Sequence, residues 1–181
     1  MDLPQEFLSR MQKLLKQDYE AFLASYQETK VQGLRVNPLK GSVEDFQAKS
    51  QFVLSKIPWT TEGFYYDAED RPGKHPYHEA GVYYIQEPSA MAAGELVDPK
   101  PGEKVLDLCA APGGKTTHMA GKMRGQGFLL TNEIHPLRAK ILSQNVERMG
   151  ITNVVVTNET PLRLAERFPS FFDRILVDAP C

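Results

Sequence analysis

The residues best able to do chemistry fall in three short stretches: KVLDLCAAPGGKTT (Lys104–Thr117), GFLLTNE (Gly127–Glu133) and RILVDAPC (Arg174–Cys181). The first reads as an apolar strand that ends in a small-residue turn and runs directly into a helix. Gly113 and Gly114 lack a Cβ, so the backbone there can take φ > 0 and a ligand can come close. The helix that follows offers unpaired N–H groups and the positive end of its dipole to a polar or anionic ligand. Adjacent glycines are ordinary in such a turn, and the spacing is neither G-x-G-x-x-G nor G-x-x-x-x-G-K-[ST]. The second stretch adds weight, because Glu133 closes an apolar strand about twenty positions on, where a carboxylate accepts both hydroxyls of a ribose. A ribose bound with no demand for phosphate points to S-adenosylmethionine at least as well as to NAD.

Asp178 and Cys181 fall at the carboxyl end of the last strand, where open α/β sheets bind their ligands. A lone Cys is often a small buried hydrophobe. A Pro-Cys just past an apolar strand, behind an Asp, favours function for Cys181, whereas Cys109 inside the turn reads as a space-filler whose backbone faces the ligand. Lys115 either neutralises a carboxylate of the ligand or points outward. His75 and His78 lie near acids, but no Cys joins them, the spacing fits no strong ligand pattern, and Pro76 between them is expected to exclude a regular helix. No metal is expected.

The elements that position these residues alternate strictly. Strands are expected at 104–109, 127–133, 153–158 and 173–178, and helices at 113–123, 135–149 and 161–167. That order gives a parallel sheet with right-handed crossovers. Val154–Val156 and Ile175–Val177 are continuous apolar runs, as strands buried on both faces require. Upstream, Phe7, Leu8, Met11, Leu14, Leu15, Tyr19, Phe22, Leu23 and Tyr26 mark one face of a bent helix or of two short ones, with Asp18 as a candidate cap. Strands at Gly33–Asn37, within Gln51–Ile57 and at Phe64–Tyr66 surround a helix over Val43–Ser50, which Ser42 and Asp45 would cap. A polar loop follows over Asp67–His78, then an extended Tyr83–Gln86 and a helix from Glu87–Ser89 to Leu96. The division is expected as 1–78, a small α+β module with its linker, and 79–181, the α/β part.

DLCAAPGGKT, with NEI at Asn132–Ile134 and DAPC at Asp178–Cys181, resembles the Sun/Fmu family of S-adenosylmethionine-dependent RNA (cytosine-5) methyltransferases. GLRVNPLK (Gly33–Lys40) and YYIQEPSAM (Tyr83–Met91) resemble its N-terminal signatures, nearest to the RsmF-type bacterial rRNA enzymes. The resemblance implies a Rossmann-like methyltransferase fold, of which this chain supplies the first four strands, behind a small α+β RNA-recognition module. It implies S-adenosylmethionine on Cys109, Ala110, Ala111, Pro112, Gly113, Gly114, Lys115, Glu133 and Asp178, with Asp178 and Cys181 catalytic. In that chemistry a thiolate adds to C6 so that C5 can take the methyl group. The family analogy gives the attack to a second Cys in a later Thr-Cys-Ser, absent here, and gives Cys181 the release of product; DNA cytosine methyltransferases instead attack with the Pro-Cys. After the third strand the family places an acid near the adenine; Thr160 stands there, with Glu159 or Asn158 as substitutes. The fourth strand is expected beside the first at an open apolar edge, covered by a missing half or a partner, and residues 1–181 alone are expected to be inactive.

Composition sets outer bounds. A net charge of −2 offers no global attraction to nucleic acid, so RNA affinity needs a local patch. Arg35, Lys40, Lys49 and Lys56 could meet phosphate, although nearby acids make a solvated face the simpler expectation. Two Cys and no export or membrane-spanning pattern suggest a cytoplasmic protein with free thiols. The competing function is a non-catalytic RNA- or cofactor-binding module; a small-molecule methyltransferase would leave the N-terminal module unexplained.

Overall fold

The computed structural model describes residues 3–28 and 30–179. The chain divides into two compact units, one ending at Lys30 and one beginning at Val31. In the first, α1 (Gln5–Leu15) and α2 (Tyr19–Ser25) are joined by a 3₁₀ turn over Lys16–Asp18. Asp18 makes no side-chain cap. The apolar stripe packs these helices on each other, with the Phe7 and Phe22 rings 6.1 Å apart and Phe22 edge-on to Tyr26 at 5.2 Å.

The second unit holds two four-stranded sheets. β1 (Gly33–Val36), β2 (Leu54–Lys56), β3 (Gly63–Tyr66) and β4 (Tyr83–Ile85) form an antiparallel sheet in the order β2-β3-β1-β4. Leu34, Val36, Phe64 and Tyr83 pack with Phe46 of α3 (Val43–Lys49), whose first turn is closed by Ser42 accepting from the Asp45 amide at 3.0 Å. Asp67–His78 is more regular than the polar composition suggests. It contains two 3₁₀ turns and opens α4 (Pro76–Glu79). Pro76 starts that helical turn rather than excluding it, because a missing N–H costs nothing at the first position. β4, from beyond this loop, is one of the two edge strands of the antiparallel sheet.

β5 (Lys104–Asp107), β6 (Phe128–Asn132), β7 (Val154–Thr157) and β8 (Arg174–Leu176) form a parallel sheet in the order β7-β6-β5-β8. Alternation along β5 and β6 splits the core. Val105 and Leu129 face Met119 and Met123 of α6 (Gly114–Met123) and Leu142, Val146 and Met149 of α7 (Pro136–Met149). Leu106 and Leu130 face Leu164 of α8 (Pro161–Arg167). α5 (Pro88–Val97) starts with Pro88 at its first position and Glu87 capping the Ala90 amide at 3.0 Å. β8 pairs with β5, and Ile175 and Val177 are left more than half exposed at that edge. Among the described residues, no helix is long and apolar enough to cross a membrane.

Candidate active site

The turn after β5 is held by its carbonyl groups. Arg138 of α7 donates to the Ala111 carbonyl at 2.7 Å, and Asn145 to that of Pro112 at 2.8 Å. The Thr117 amide takes the Gly113 carbonyl at 2.9 Å, and Arg35 of β1 takes that of Gly114 at 3.1 Å. Gly113 has φ +111°, and a Cβ there would meet Leu142 at 3.1 Å, so this position calls for glycine on both counts.

Two cavities flank this turn, with Cys109, Ala111 and Asp178 in the walls of both. The first, about 300 Å³, opens at the carboxyl ends of β5 and β6 and is walled by Leu108, Asn132, Glu133, Ile134 and Arg138. Glu133 is buried; one oxygen accepts from the His135 amide at 3.0 Å and the other lies 3.6 Å from Arg138. Asn132 joins the Leu108 and Glu159 carbonyls, at 3.2 and 3.0 Å, and so fixes the loop after β7 against the turn. Of the three residues expected near an adenine, Thr160 caps α8 through the Arg163 amide, Glu159 pairs with Arg163, and Asn158 donates to the Glu133 carbonyl at 2.6 Å. The wall of the cavity at that end is Pro161.

The second cavity, about 260 Å³, lies between the parallel sheet and the antiparallel one. Asp107, Gly114 and Lys115 form one side, and Tyr84, Gln86, Glu87 and Ala90 the other. Lys115 lines this cavity and pairs with Asp178 at 2.5 Å, so it does not simply point outward. Asp107 is buried and accepts from Thr116 at 2.6 Å; burial raises its carboxyl to about 6 despite that bond and the nearby Lys115. Burial, with Glu133, Asp107 and Asp178 close by, also pushes the Cys109 thiol up, the opposite of an activated nucleophile. Cys181 lies outside the described residues.

Tyr84, Gln86, Asp107 and Arg138 are among the wall residues that sequence reasoning missed. The available signal was a polar residue set inside an apolar run, as Gln86 after YYI and Asp107 within KVLDL. Arg35 departs from the expectation of a solvated or phosphate-meeting side chain, since it is fully buried. His75 accepts from the Tyr77 amide at 3.1 Å and stands edge-on to Phe52, and His78 lies 3.4 Å from Glu79. A tighter group, Glu62, Glu95 and His118, sits elsewhere, but Lys122 already supplies a cation 2.6 Å from Glu95. Burial would raise the Glu95 carboxyl, yet hydrogen bonds from His118, Lys122 and Thr60 hold it at about 2.

Residues 3–88 match the family model described as the N-terminal domain of 16S rRNA methyltransferase RsmF, and residues 95–181 match that of 16S rRNA methyltransferase RsmB/F. Ribosomal RNA small subunit methyltransferase F of Enterobacter sp. (strain 638) is 39% identical over 189 residues, which cover 98% of this chain and 39% of that protein. The protein of the same name from Psychromonas ingrahamii is 40% identical, over 99% of this chain and 40% of its own. The chain thus spans about two-fifths of the length of these relatives. The crystal structure of a methyltransferase homolog from Pyrococcus horikoshii superposes with a TM-score of 0.85 at 33% identity, over 99% of this chain and 60% of that one.

Proposed function

Because the chain belongs to the RsmB/F family of 16S rRNA methyltransferases and has the α/β methyltransferase fold, we propose that its first cavity holds S-adenosylmethionine and that the intact protein methylates C5 of a cytosine in small-subunit rRNA. The observation that carries this reading is the buried carboxylate of Glu133, fixed in a cavity of about 300 Å³ beside the glycine turn. A pair of ribose hydroxyls suits that acceptor, and the backbone of Cys109–Lys115 lies where the rest of the cofactor would run. The cofactor would supply an electrophilic methyl group. The second cavity, about 260 Å³ and sharing Asp178 with the first, suits a single flipped base. Attack on C6 is needed because C5 of cytosine is a weak nucleophile. Cys181 we assign to release of the product, and Asp178 to the polar edge of the base, where the Lys115 ammonium beside it would steady the charge.

The decisive measurement is calorimetry of the intact protein with S-adenosylhomocysteine. Glu133→Ala removes charge-assisted hydrogen bonds and should weaken binding by roughly 10- to 150-fold. Equal affinity in the variant would remove the assignment. Mass spectrometry of rRNA from cells lacking the gene should show the loss of one 5-methylcytosine; loss of a ribose or adenine methylation instead would overturn the base.

A further inference from the structure

We propose that Arg35, a residue of the antiparallel sheet, is a positioning residue that sets the shape of the cofactor turn in the other sheet. The inference rests on the cofactor reading given above. Along β1, Leu34 and Val36 enter the core of their own sheet, and alternation sends Arg35 to the opposite face. Its guanidinium has no exposure and donates to three neutral acceptors. These are Gln86 Oε1 at 3.0 Å, the Gly114 carbonyl at 3.1 Å and Thr117 Oγ1 at 2.7 Å.

For stability alone this is a poor arrangement. A buried charge costs several kcal/mol unless it is well paired, and an apolar side chain of similar volume is often no worse. Glu62 and Glu95 act on Arg35 through their field, and burial still lowers it to about 10, so it stays charged at neutral pH. What the guanidinium offers is geometry, because one planar fork reaches the turn, the helix behind it and the wall of the second cavity together. The carbonyls of Ala111, Pro112 and Gly113 are held from within the parallel-sheet half of the chain, by Arg138, Asn145 and Thr117. The next one, Gly114, also takes a side chain from the antiparallel sheet. Thr117 Oγ1 also donates to the Gly114 carbonyl at 3.1 Å, closing a triangle of bonds with Arg35. The ring of Tyr84 lies against the same side chain, 6.0 Å from its guanidinium carbon. The turn and the opposing wall are therefore adjusted by one residue.

The test uses the intact protein with S-adenosylhomocysteine for affinity and steady-state methylation for KM and kcat. Arg35→Met keeps the volume and removes the fork; the Kd and the KM for the cofactor should rise about tenfold, while saturating cofactor restores kcat to near wild type. Arg35→Lys should not rescue, since its three donors sit on one atom, whereas Arg35 reaches Gln86 from Nε and the other two acceptors from Nη2. A merely structural role would lower the active fraction, hence kcat, with KM unchanged. Phe46→Leu, which loosens the core of the antiparallel sheet away from the turn, supplies that control. Should Arg35→Met fail to fold, Thr117→Val removes the hydroxyl and with it two bonds, from Arg35 and to the Gly114 carbonyl, without changing shape, and should raise the Kd about threefold. An unchanged Kd in a folded Arg35→Met, or in Thr117→Val if that is the variant read, overturns the proposal. Failure of the wild type to bind S-adenosylhomocysteine overturns the cofactor reading instead.

Discussion

The two cavities beside the glycine turn share Cys109, Ala111 and Asp178 but are built differently. The first draws its walls from the parallel sheet and its loops, chiefly the ends of β5 and β6 and the start of α7. The second is closed only where β4 and α5 come over from the antiparallel side. The first is thus a property of the parallel sheet, and the second a property of how two sheets are joined. Apart from Arg35, which reaches the turn itself, changes to the join should damage the second cavity selectively, and changes at the ends of β5 and β6 should damage the first.

The largest effect is expected at Gly81, which has φ +68° and whose Cβ would lie 2.1 Å from the Arg148 carbonyl at the end of α7. Arg148 donates to the His78 carbonyl at 2.6 Å and lies over the Tyr84 ring at 5.5 Å, so this contact sets the wall of the second cavity. Gly81→Ala combines left-handed strain with a clash against backbone and should cost about 2–4 kcal/mol. Scanning calorimetry should show a melting temperature lower by about 5–15 °C. Affinity for S-adenosylhomocysteine, read well below that transition, should stay near the wild-type value. If it collapses with the melting temperature, the two cavities are not separable.

How much of this was legible in the sequence follows the same division. Every element of the parallel sheet was readable within a residue or two, because alternating apolar strands and capped helices carry their own signals, down to Gly150 ending α7 at φ +71°. The place of β8 beside β5 was also expected, on the resemblance. Glu133 and the turn were visible because they belong to one local strand-turn-helix pattern. Arg35 was not, because a charged residue in a short strand looks the same whether its far end meets water or a carbonyl from Gly114, 79 positions away. Gln86 and Tyr84 were hidden for the same reason. Pro76 misled because it can open a helical turn as readily as it breaks one.

A smaller effect separates two buried titrating groups. His118 is lowered to about 4 by burial and by Arg35, against the pull of Glu95, and its Nδ1 faces Gly94 without a partner. A base lowered on folding gives stability that is present above about 6.5 and is lost as pH falls through its folded value. Asp107, raised to about 6, does the reverse: its contribution is present below the unfolded carboxylate value and is lost as pH rises through 6. Between pH 4 and 6.5 the two oppose each other, each amounting to about 3 kcal/mol at most. Urea denaturation should therefore show Asp107→Asn gaining on the wild type as pH rises, and His118→Gln gaining as it falls. Parallel curves for all three proteins would mean that neither group titrates as its surroundings require.

The smallest change in stability, and the sharpest test of where the cavities divide, concerns Lys115. Its ammonium lines the second cavity, while its partner Asp178 is in the walls of both. With Asp178 about half exposed, the pair contributes little to folding, so Lys115→Met should move stability by no more than about 1 kcal/mol. If the lysine also meets the cofactor's carboxylate, affinity for S-adenosylmethionine should fall about tenfold, the worth of one charge-assisted bond. An analogue without that carboxylate should then bind wild type and variant equally, because Lys115 would have nothing to meet on it. If the variant instead binds both ligands as the wild type does and loses only turnover on RNA, Lys115 serves the base through Asp178 alone. The cofactor would then be confined to the first cavity and the backbone of the turn.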